Sequence, residues 1–195
     1  MLRLLGLSGS LRQDSHNTNL LRAAAALMPH GVELEVYDRL RELPPYDADL
    51  DIQPADQAVA RLRDAIADAD GLVIATPEFN GSIPGVLKNA LDWASRPFPD
   101  NALRGKPVAV IGASTGLFGA VWAQAETRKV LGVVGADVID QELPVGLADT
   151  AFADDGQLLD AEQRAALAGL VGVLTARTGA GQPEAPPTAE AVASL

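Results

Sequence analysis

The sequence contains no cysteine, which excludes disulfides, thiol catalysis and cysteine-ligated metal sites. Histidine occurs only twice, so a histidine-rich metal centre is not expected. Apolar runs are short, and Met1 leads directly into a strand-like run, so we expect neither a membrane span nor a signal peptide. Basic residues are outnumbered, 15 against 26 acidic ones, which disfavours nucleic acid as a partner. These absences predict a cytoplasmic enzyme or binding domain.

The apolar content is sufficient for one folded domain. The chain has 195 residues, of which 48% are hydrophobic, and a chain of this size can bury a sizeable core. Residues 179–195 differ, because prolines stand there among alanine, glycine and threonine without apolar periodicity. We therefore expect one domain over residues 1–178 and a tail over residues 179–195.

Strand-like and helix-like segments alternate along this domain. Short apolar or β-branched runs predict five strands, at residues 2–7, 32–37, 71–75, 108–111 and 136–139. Apolar residues at helical spacing predict helices within residues 20–28, 59–69, 86–94, 122–129 and 159–175. Asn17 or Thr18 is expected to cap the first helix, and Pro84 to begin the third.

This alternation predicts an α/β fold in three layers. A parallel sheet is covered by helices on both faces, because each crossover between parallel strands is right-handed. Five strands favour the flavodoxin-like order 2-1-3-4-5 over the six-stranded dinucleotide-binding order.

Three loops leave the carboxyl ends of strands that are neighbours in this order. They comprise residues 8–17, 76–83 and 113–119, and are called here the first, second and third loops. Ligands of open parallel sheets bind beyond these strand ends, where the strand order reverses. We therefore expect the three loops to border one crevice.

The first loop is rich in hydroxyl groups and leads into a helix. Free N–H groups at a helix start, helped by donors from Ser10, Ser15 and Asn17, suit a phosphate group. Arg12 adds a fixed charge, and His16 could also donate to an anion. The alternative is an ordinary polar loop whose Ser and Asn only cap the helix, with His16 facing solvent. No Walker A or Gly-x-Gly-x-x-Gly pattern is present, so ATP or NAD bound in those ways is disfavoured.

The second and third loops suit a planar ring. Pro77, Gly81 and Pro84 fix a backbone that can aim main-chain groups at a ring edge. Phe79 supplies a wall for such a ring or, as the alternative, is an ordinary core residue. Glycines in the third loop allow close approach of a ligand, and Ser114 offers a hydroxyl group; the alternative is a flexible turn without a ligand.

A specific pattern runs through these segments. It reads Gly9-Ser10-Leu11-Arg12-x-x-Ser15-x-Asn17, then Thr76-Pro77-Glu78-Phe79-Asn80, then Ile83-Pro84-Gly85-x-Leu87-Lys88-Asn89-Ala90-x-Asp92-Trp93. Taken in this order, the stretches resemble the NAD(P)H-dependent FMN reductase family, which includes quinone, chromate and azo reductases of the flavodoxin-like fold. The resemblance covers most of the chain, from Leu4 to Gly146.

The resemblance implies a cofactor-binding role for each loop. In the first loop, the residues that would hold the FMN phosphate are Ser10, Leu11, Arg12, Ser15, His16 and Asn17. In the second loop, the residues that would contact the isoalloxazine edge, largely through backbone atoms, are Pro77, Glu78, Phe79 and Asn80. In the third loop, those on the other side of the ring would be Ser114, Thr115 and Gly116. Many members of the family have Tyr where this chain has Phe79, so a hydroxyl group is missing here.

The implied function is hydride transfer from NADPH or NADH through non-covalently bound FMN to a quinone, free flavin or another small acceptor. The cycle would be ping-pong and would need no side chain as a catalytic acid or base. The resemblance also implies a homodimer or homotetramer. The helices after the second and third loops carry residues that could form the contact, namely Leu87, Leu91, Trp93 and Trp122, and the alternative for Trp93 is a place in the core. The alternatives are a flavodoxin-type electron carrier without its own NAD(P)H turnover, and a flavin-free regulatory domain on the same fold. Only 4% of the residues are aromatic, which favours an open ring face and hence the enzyme.

Overall fold

A computed structural model describes residues 1–179 of the chain. Its sheet contains four main strands and two strands of two residues each: β1 Leu2–Ser8, β2 Val32–Tyr37, β3 Gly71–Thr76, β4 Pro107–Ala113, β5 Asp137–Val138 and β6 Pro144–Val145. The strand order is β2-β1-β3-β4-β5, with β6 also paired to β4, and every pairing is parallel. The predicted α/β class and the predicted order 2-1-3-4-5 are confirmed.

The fifth strand differs from its prediction at residues 136–139. β5 pairs with the start of β4, where Val138 lies opposite Val108, and β6 pairs with the end of β4, where Val145 lies opposite Ala113. The intervening stretch Asp140-Gln141-Glu142 is polar and exposed, so the chain leaves the sheet there and returns. The sequence predicted one continuous strand because the short Pro-Val segment that rejoins the sheet is too brief to show a strand pattern.

Five α-helices cover the sheet: α1 His16–Ala26, α2 Gln57–Asp68, α3 Gly85–Ala94, α4 Val121–Val134 and α5 Ala161–Gly179. α1 and α5 pack on one face, and α2, α3 and α4 on the other. Along β1 the leucines alternate between the two cores, with Leu4 in the α1–α5 core and Leu5 in the other. The central strands are apolar on both sides for this reason. In β2, at the sheet edge, Glu33 and Glu35 are exposed between apolar residues.

Two helix starts differ from their predictions. Ser15 is the N-cap of α1, whereas Asn17 and Thr18 were expected; the Ser15 hydroxyl accepts hydrogen bonds from the N–H groups of both. Pro84 is the N-cap of α3 rather than its first residue. The differences amount to one to three positions, because the apolar spacing that locates a helix does not reach its polar first turn.

The predicted subunit contact residues fall into two groups. Leu87, Leu91 and Trp93 are buried in the core under α3, so the expectation that they form a contact between subunits is wrong. The Trp93 indole donates a hydrogen bond to the Pro44 carbonyl at 2.8 Å, which fixes it inside the subunit. Trp122 on α4 is 53% exposed and remains available for such a contact.

Within residues 1–179, no helix combines the length and apolar character that a membrane span requires. The predicted tail, residues 179–195, lies outside the described residues apart from Gly179, at which α5 ends.

Candidate functional site

The three loops border a single cavity of about 280 Å³ at the carboxyl ends of the strands. Ten of the predicted site residues line this cavity: Ser10, Arg12, Ser15, His16, Asn17, Pro77, Glu78, Phe79, Ser114 and Thr115. Ala113 and Asp149 also line it. Three predicted residues, Leu11, Asn80 and Gly116, lie in the same loops but outside the cavity lining. The expected crevice between β1, β3 and β4 is therefore present.

Hydroxyl groups organise the first loop from within. The Thr18 hydroxyl donates to Ser8 Oγ at 3.0 Å, and the N–H group of Arg12 donates to Ser10 Oγ at 3.3 Å. With Ser15 capping α1, the loop lines the cavity at the positive end of the helix dipole. In the described part of the chain, the N–H groups of Ser15 and His16 have no protein acceptor. They are free to bind an anion.

Asn17 joins the first loop to β4. Its amide nitrogen donates to the Ala113 carbonyl at 2.9 Å, and its amide oxygen accepts from the Ala113 N–H group at 2.9 Å. The side chain is buried, so both bonds lie away from water. The same amide that was expected to face a ligand thus holds the start of α1 against the last residue of β4.

Arg12 and His16 differ in their surroundings. The Arg12 side chain is exposed, and among residues 1–179 its guanidinium has no hydrogen-bond or ion-pair partner. His16 Nε2 lies 3.0 Å from a carboxylate oxygen of Asp149, and its ring is stacked on Phe152. Asp149 was missed by the sequence analysis, because it follows β6, the strand that showed no pattern. The Pro144-Val145-Gly146 segment, which contains β6, is the one signal that could have indicated a return to the sheet.

The second loop ends in a tight hairpin turn. Asn80 and Gly81 both have positive φ, 55° and 73°, and the backbones of Phe79 and Ser82 exchange two hydrogen bonds of 3.2 Å. Such a turn requires residues that tolerate the left-handed region, which Asn and Gly do. Phe79 beside it is 58% exposed, so the alternative interpretation as a core residue is wrong.

Glu78 caps α4 from the second loop. Its carboxylate oxygen accepts from the N–H groups of Trp122 and Ala123, each at 3.1 Å. Ala120, the N-cap residue of α4, has φ 62° and provides no side-chain cap, so Glu78 takes that function across the site. A carboxylate at a helix start is also favoured by the helix dipole. The resemblance implies that Glu78 contacts the ring edge largely through its backbone, and the bond of its carboxylate to α4 leaves that backbone contact possible.

A second carboxylate fastens the other end of this loop to the same helix. Glu126 accepts from the Ser82 hydroxyl at 2.6 Å and from the Ile83 N–H group at 3.2 Å. These hydrogen bonds, with Ser82 as the main contributor, lower the pKa of the Glu126 carboxyl, which stays ionised at neutral pH. The second loop and α4 are thus joined at two points.

The third loop is held by backbone bonds to β6 and to the segment that follows it. Ser114 donates its N–H group to the Val145 carbonyl and accepts from the Ala148 N–H group, at 3.0 and 3.1 Å. The Leu147 N–H group donates to the Gly116 carbonyl at 3.1 Å. Gly146 lies so close to the Leu117 carbonyl that a Cβ atom would overlap it. This close approach explains a glycine at that position.

Large apolar side chains are exposed beside the cavity. Phe79, Phe118 and Trp122 are between 53% and 61% exposed, and Leu117 is 69% exposed. Phe118 and Trp122 pack edge to face with ring centroids 5.2 Å apart. We call these four residues the aromatic patch. Phe79 lines the cavity, the other three lie in the third loop or at the start of α4, and all four are exposed to water in the single chain.

The arrangement fits a mononucleotide with a phosphate and a planar ring. Free N–H groups, the Ser10 hydroxyl and an unpaired arginine stand at one end of the cavity, which is the donor set that a phosphate requires. The rigid second loop and the backbone of the third stand at the other end. A phosphate site followed by a ring site at the reversal of strand order defines a nucleotide-binding α/β protein.

Comparison with known proteins identifies the class more closely. The family model described as NADPH-dependent FMN reductase matches residues 2–150. An NAD(P)H-dependent FMN reductase of Pseudomonas aeruginosa is 42% identical over 164 residues, covering 84% of this chain and 88% of that protein. A quinone reductase of Escherichia coli is 36% identical over 178 residues, covering 90% and 93% respectively. The solved structure of FerB, a flavoenzyme NAD(P)H:(acceptor) oxidoreductase from Paracoccus denitrificans, matches with a TM-score of 0.79 at 36% identity and covers 91% of this chain and 97% of its own.

The chain therefore belongs to the NADPH-dependent FMN reductase family. This membership confirms the predicted family, the predicted class of NAD(P)H-dependent flavin oxidoreductase, and the predicted cofactors FMN and NAD(P)H.

The cap that Glu78 provides leads to a prediction. In Glu78→Ala the N–H groups of Trp122 and Ala123 lose their acceptor, and loss of a helix cap costs about 1 kcal/mol. We expect the free energy of unfolding in urea, followed by circular dichroism, to fall by about that amount. Glu78→Gln keeps an acceptor oxygen and should lose less. Equal stability of both variants and the unaltered protein would show that this contact does not stabilise α4.

Proposed function

We propose that the chain holds FMN in the cavity between its three loops and uses NAD(P)H to reduce quinones and similar small acceptors in a ping-pong cycle. The observation that carries this proposal is the meeting of the free α1 start, the rigid second loop and the third loop on one open cavity. The family membership and the resemblance to a quinone reductase of Escherichia coli support the choice of acceptor.

The phosphate end would be bound by the first loop. Ser10 and Ser15 line the cavity, and their hydroxyl groups would contact the phosphate. The N–H groups of Ser15 and His16 are available as further donors, and Arg12 would supply the positive charge. Asn17 would act by holding this loop against β4, since both ends of its amide are bonded to Ala113. Asp149 would keep the imidazole of His16 turned away from the phosphate.

The ring end would be bound by backbone groups. Pro77, Glu78 and Phe79 line the cavity from one side, and Ser114 and Thr115 from the other. FMN held there would supply the redox chemistry, which is the passage of electrons from a reduced nicotinamide to an acceptor. Of these five residues, Glu78 and Thr115 have N–H groups without an acceptor in the described part of the chain, and such preorganised donors at the ring edge would favour negative charge there.

The open side of the cavity favours an enzyme over an electron carrier. Phe79 is the one aromatic side chain among the cavity-lining residues other than His16, so no pair of aromatic side chains can enclose the ring from both sides. One ring face would be left open for the nicotinamide and the acceptor in turn.

Steady-state kinetics test the cycle. We expect turnover of NADPH or NADH with benzoquinone, and parallel lines in double-reciprocal plots, since the two substrates would use the same face in succession. Intersecting lines would contradict a ping-pong cycle. If the FMN-loaded protein accepted electrons from a reductase but was not reduced by either nucleotide in stopped flow, the carrier alternative would replace this proposal.

Removal of the Arg12 charge tests the phosphate site. Arg12→Ala should lose one charge-assisted contact to a phosphate, which is worth about 1.5–3 kcal/mol. We expect FMN to dissociate at least about tenfold more readily, as measured by fluorescence of released flavin. Arg3→Ala is the matched control, because Arg3 is an exposed arginine near the amino end of β1, away from the loops. Retention equal to that of the control would disprove the assignment of Arg12.

A homodimer is part of the proposal, as is a location in the cytoplasm. The aromatic patch would be covered by a second subunit beside the cavity, since an exposed cluster of this kind marks an interaction surface. Trp122→Glu should convert the protein to a monomer in light scattering. Leu159→Glu, at an equally exposed leucine (58%), should leave the assembly unchanged. A monomeric unaltered protein would refute the dimer and leave the flavin site untouched.

A further inference from the structure

A second pocket lies on the other side of the first loop from the flavin cavity. It has a volume of about 210 Å³ and is enclosed by the first loop, α1 and the segment that follows β2. It shares Ser10 and Arg12 with the flavin cavity, and no other residue. The loop thus separates two pockets, of which the proposed function uses one.

Three arginines surround this pocket: Arg12, Arg22 and Arg41. None of them lies within 4.0 Å of a carboxylate in the described part of the chain, although acidic residues outnumber basic ones 26 to 15. Five other arginines do form such ion pairs: Arg39, Arg61, Arg63, Arg128 and Arg177. Three arginines without carboxylate partners around one pocket leave a local positive potential in an acidic protein.

The neighbouring groups leave most of the arginine donors free. Arg41 donates one hydrogen bond to the Leu11 carbonyl at 2.8 Å, and Arg22 donates one to the Asn19 side chain at 3.0 Å. A guanidinium has five N–H groups, so each retains several for a ligand. Asp38 is the one carboxylate in the pocket lining, and its nearest cation is Arg39, at 4.0 Å.

We propose that this pocket is a second anion site, which binds a phosphate monoester between Arg22 and Arg41 on the far side of the first loop. Arginine suits this ligand because its planar group matches two phosphate oxygens at once. The pocket, at about 210 Å³, is smaller than the flavin cavity at about 280 Å³, so we expect it to take the phosphate end of a ligand rather than a whole nucleotide. The phosphate belongs either to the 2′ position of NADPH, a source that rests on the proposed function, or to a separately bound molecule.

Calorimetry on the FMN-loaded protein tests the binding directly. In the FMN-loaded protein the flavin cavity is occupied, so added inorganic phosphate and 2′-AMP cannot bind there. Their binding therefore reports on the second pocket. We expect both probes to bind at low salt and more weakly as salt is added. Arg22→Gln should weaken binding about tenfold, and Arg22→Gln with Arg41→Gln about a hundredfold, since each removes a charge-assisted contact. Arg3→Gln, the same charge change elsewhere, should bind like the unaltered protein.

Two results would overturn the proposal. One is the absence of binding of either probe at millimolar concentration, and the other is equal binding by Arg22→Gln and the Arg3→Gln control. The double variant also loses the bond from Arg41 to Leu11, which could disturb the fold. The single variant Arg22→Gln avoids this problem, because Arg22 is exposed on α1, and it tests the site by itself. Loss of flavin is scored separately by visible absorbance and would count against the flavin site alone.

Kinetics then distinguish the two sources of the phosphate. If it is the 2′-phosphate of NADPH, Arg22→Gln should raise KM for NADPH about tenfold and leave KM for NADH unchanged. If both values stay unchanged while 2′-AMP and phosphate binding is lost, the ligand is a separate phosphorylated molecule. Either result supports the anion site.

Discussion

Two hydrogen bonds of one buried amide fix the position of the first loop relative to β4. Asn17 donates to and accepts from the same residue, Ala113, so the start of α1 cannot shift along β4 without breaking both. Because the pair is shielded from water, breaking it would leave buried donors and acceptors unsatisfied. The first and third loops leave strands that are not adjacent in the sheet, with β3 between them. This single side chain therefore sets the width of the cavity.

The second loop is positioned by two carboxylates as well as by the burial of Pro77 and Ile83 near its two ends. Glu78 and Glu126 each bind main-chain N–H groups, one at the start of α4 and one at the end of the loop. Carboxylates in these positions need no cationic partner, because N–H groups and a helix start supply the compensating positive charge. The site is thus fastened before any ligand enters, which is what an electrostatically preorganised site requires.

The sequence predicted the fold well because the central strands are apolar on both sides and end at polar loops. It placed Ser10, Arg12 and Ser15 on one cavity for the same reason, as strand ends of a parallel sheet meet at one edge. It did not predict the bond of Glu78 to α4 or the position of Asp149. The first joins residues 44 positions apart by a hydrogen bond that leaves no spacing pattern, and the second follows a strand of two residues. Long-range side-chain contacts and very short strands carry no periodic signal.

The separation of the last strand into β5 and β6 has a consequence for how such enzymes diverge. The third loop is fastened to β6 and the chain after it mainly through main-chain atoms, so most of its side chains take no part in holding it. If the cavity holds the proposed flavin, substitutions at Thr115, Leu117 or Phe118 would alter what meets its open face without loosening the loop. Gly119 and Gly146, where the backbones nearly touch, are the exceptions. Evolution can thus explore new acceptors at this rim while the scaffold beneath stays constant.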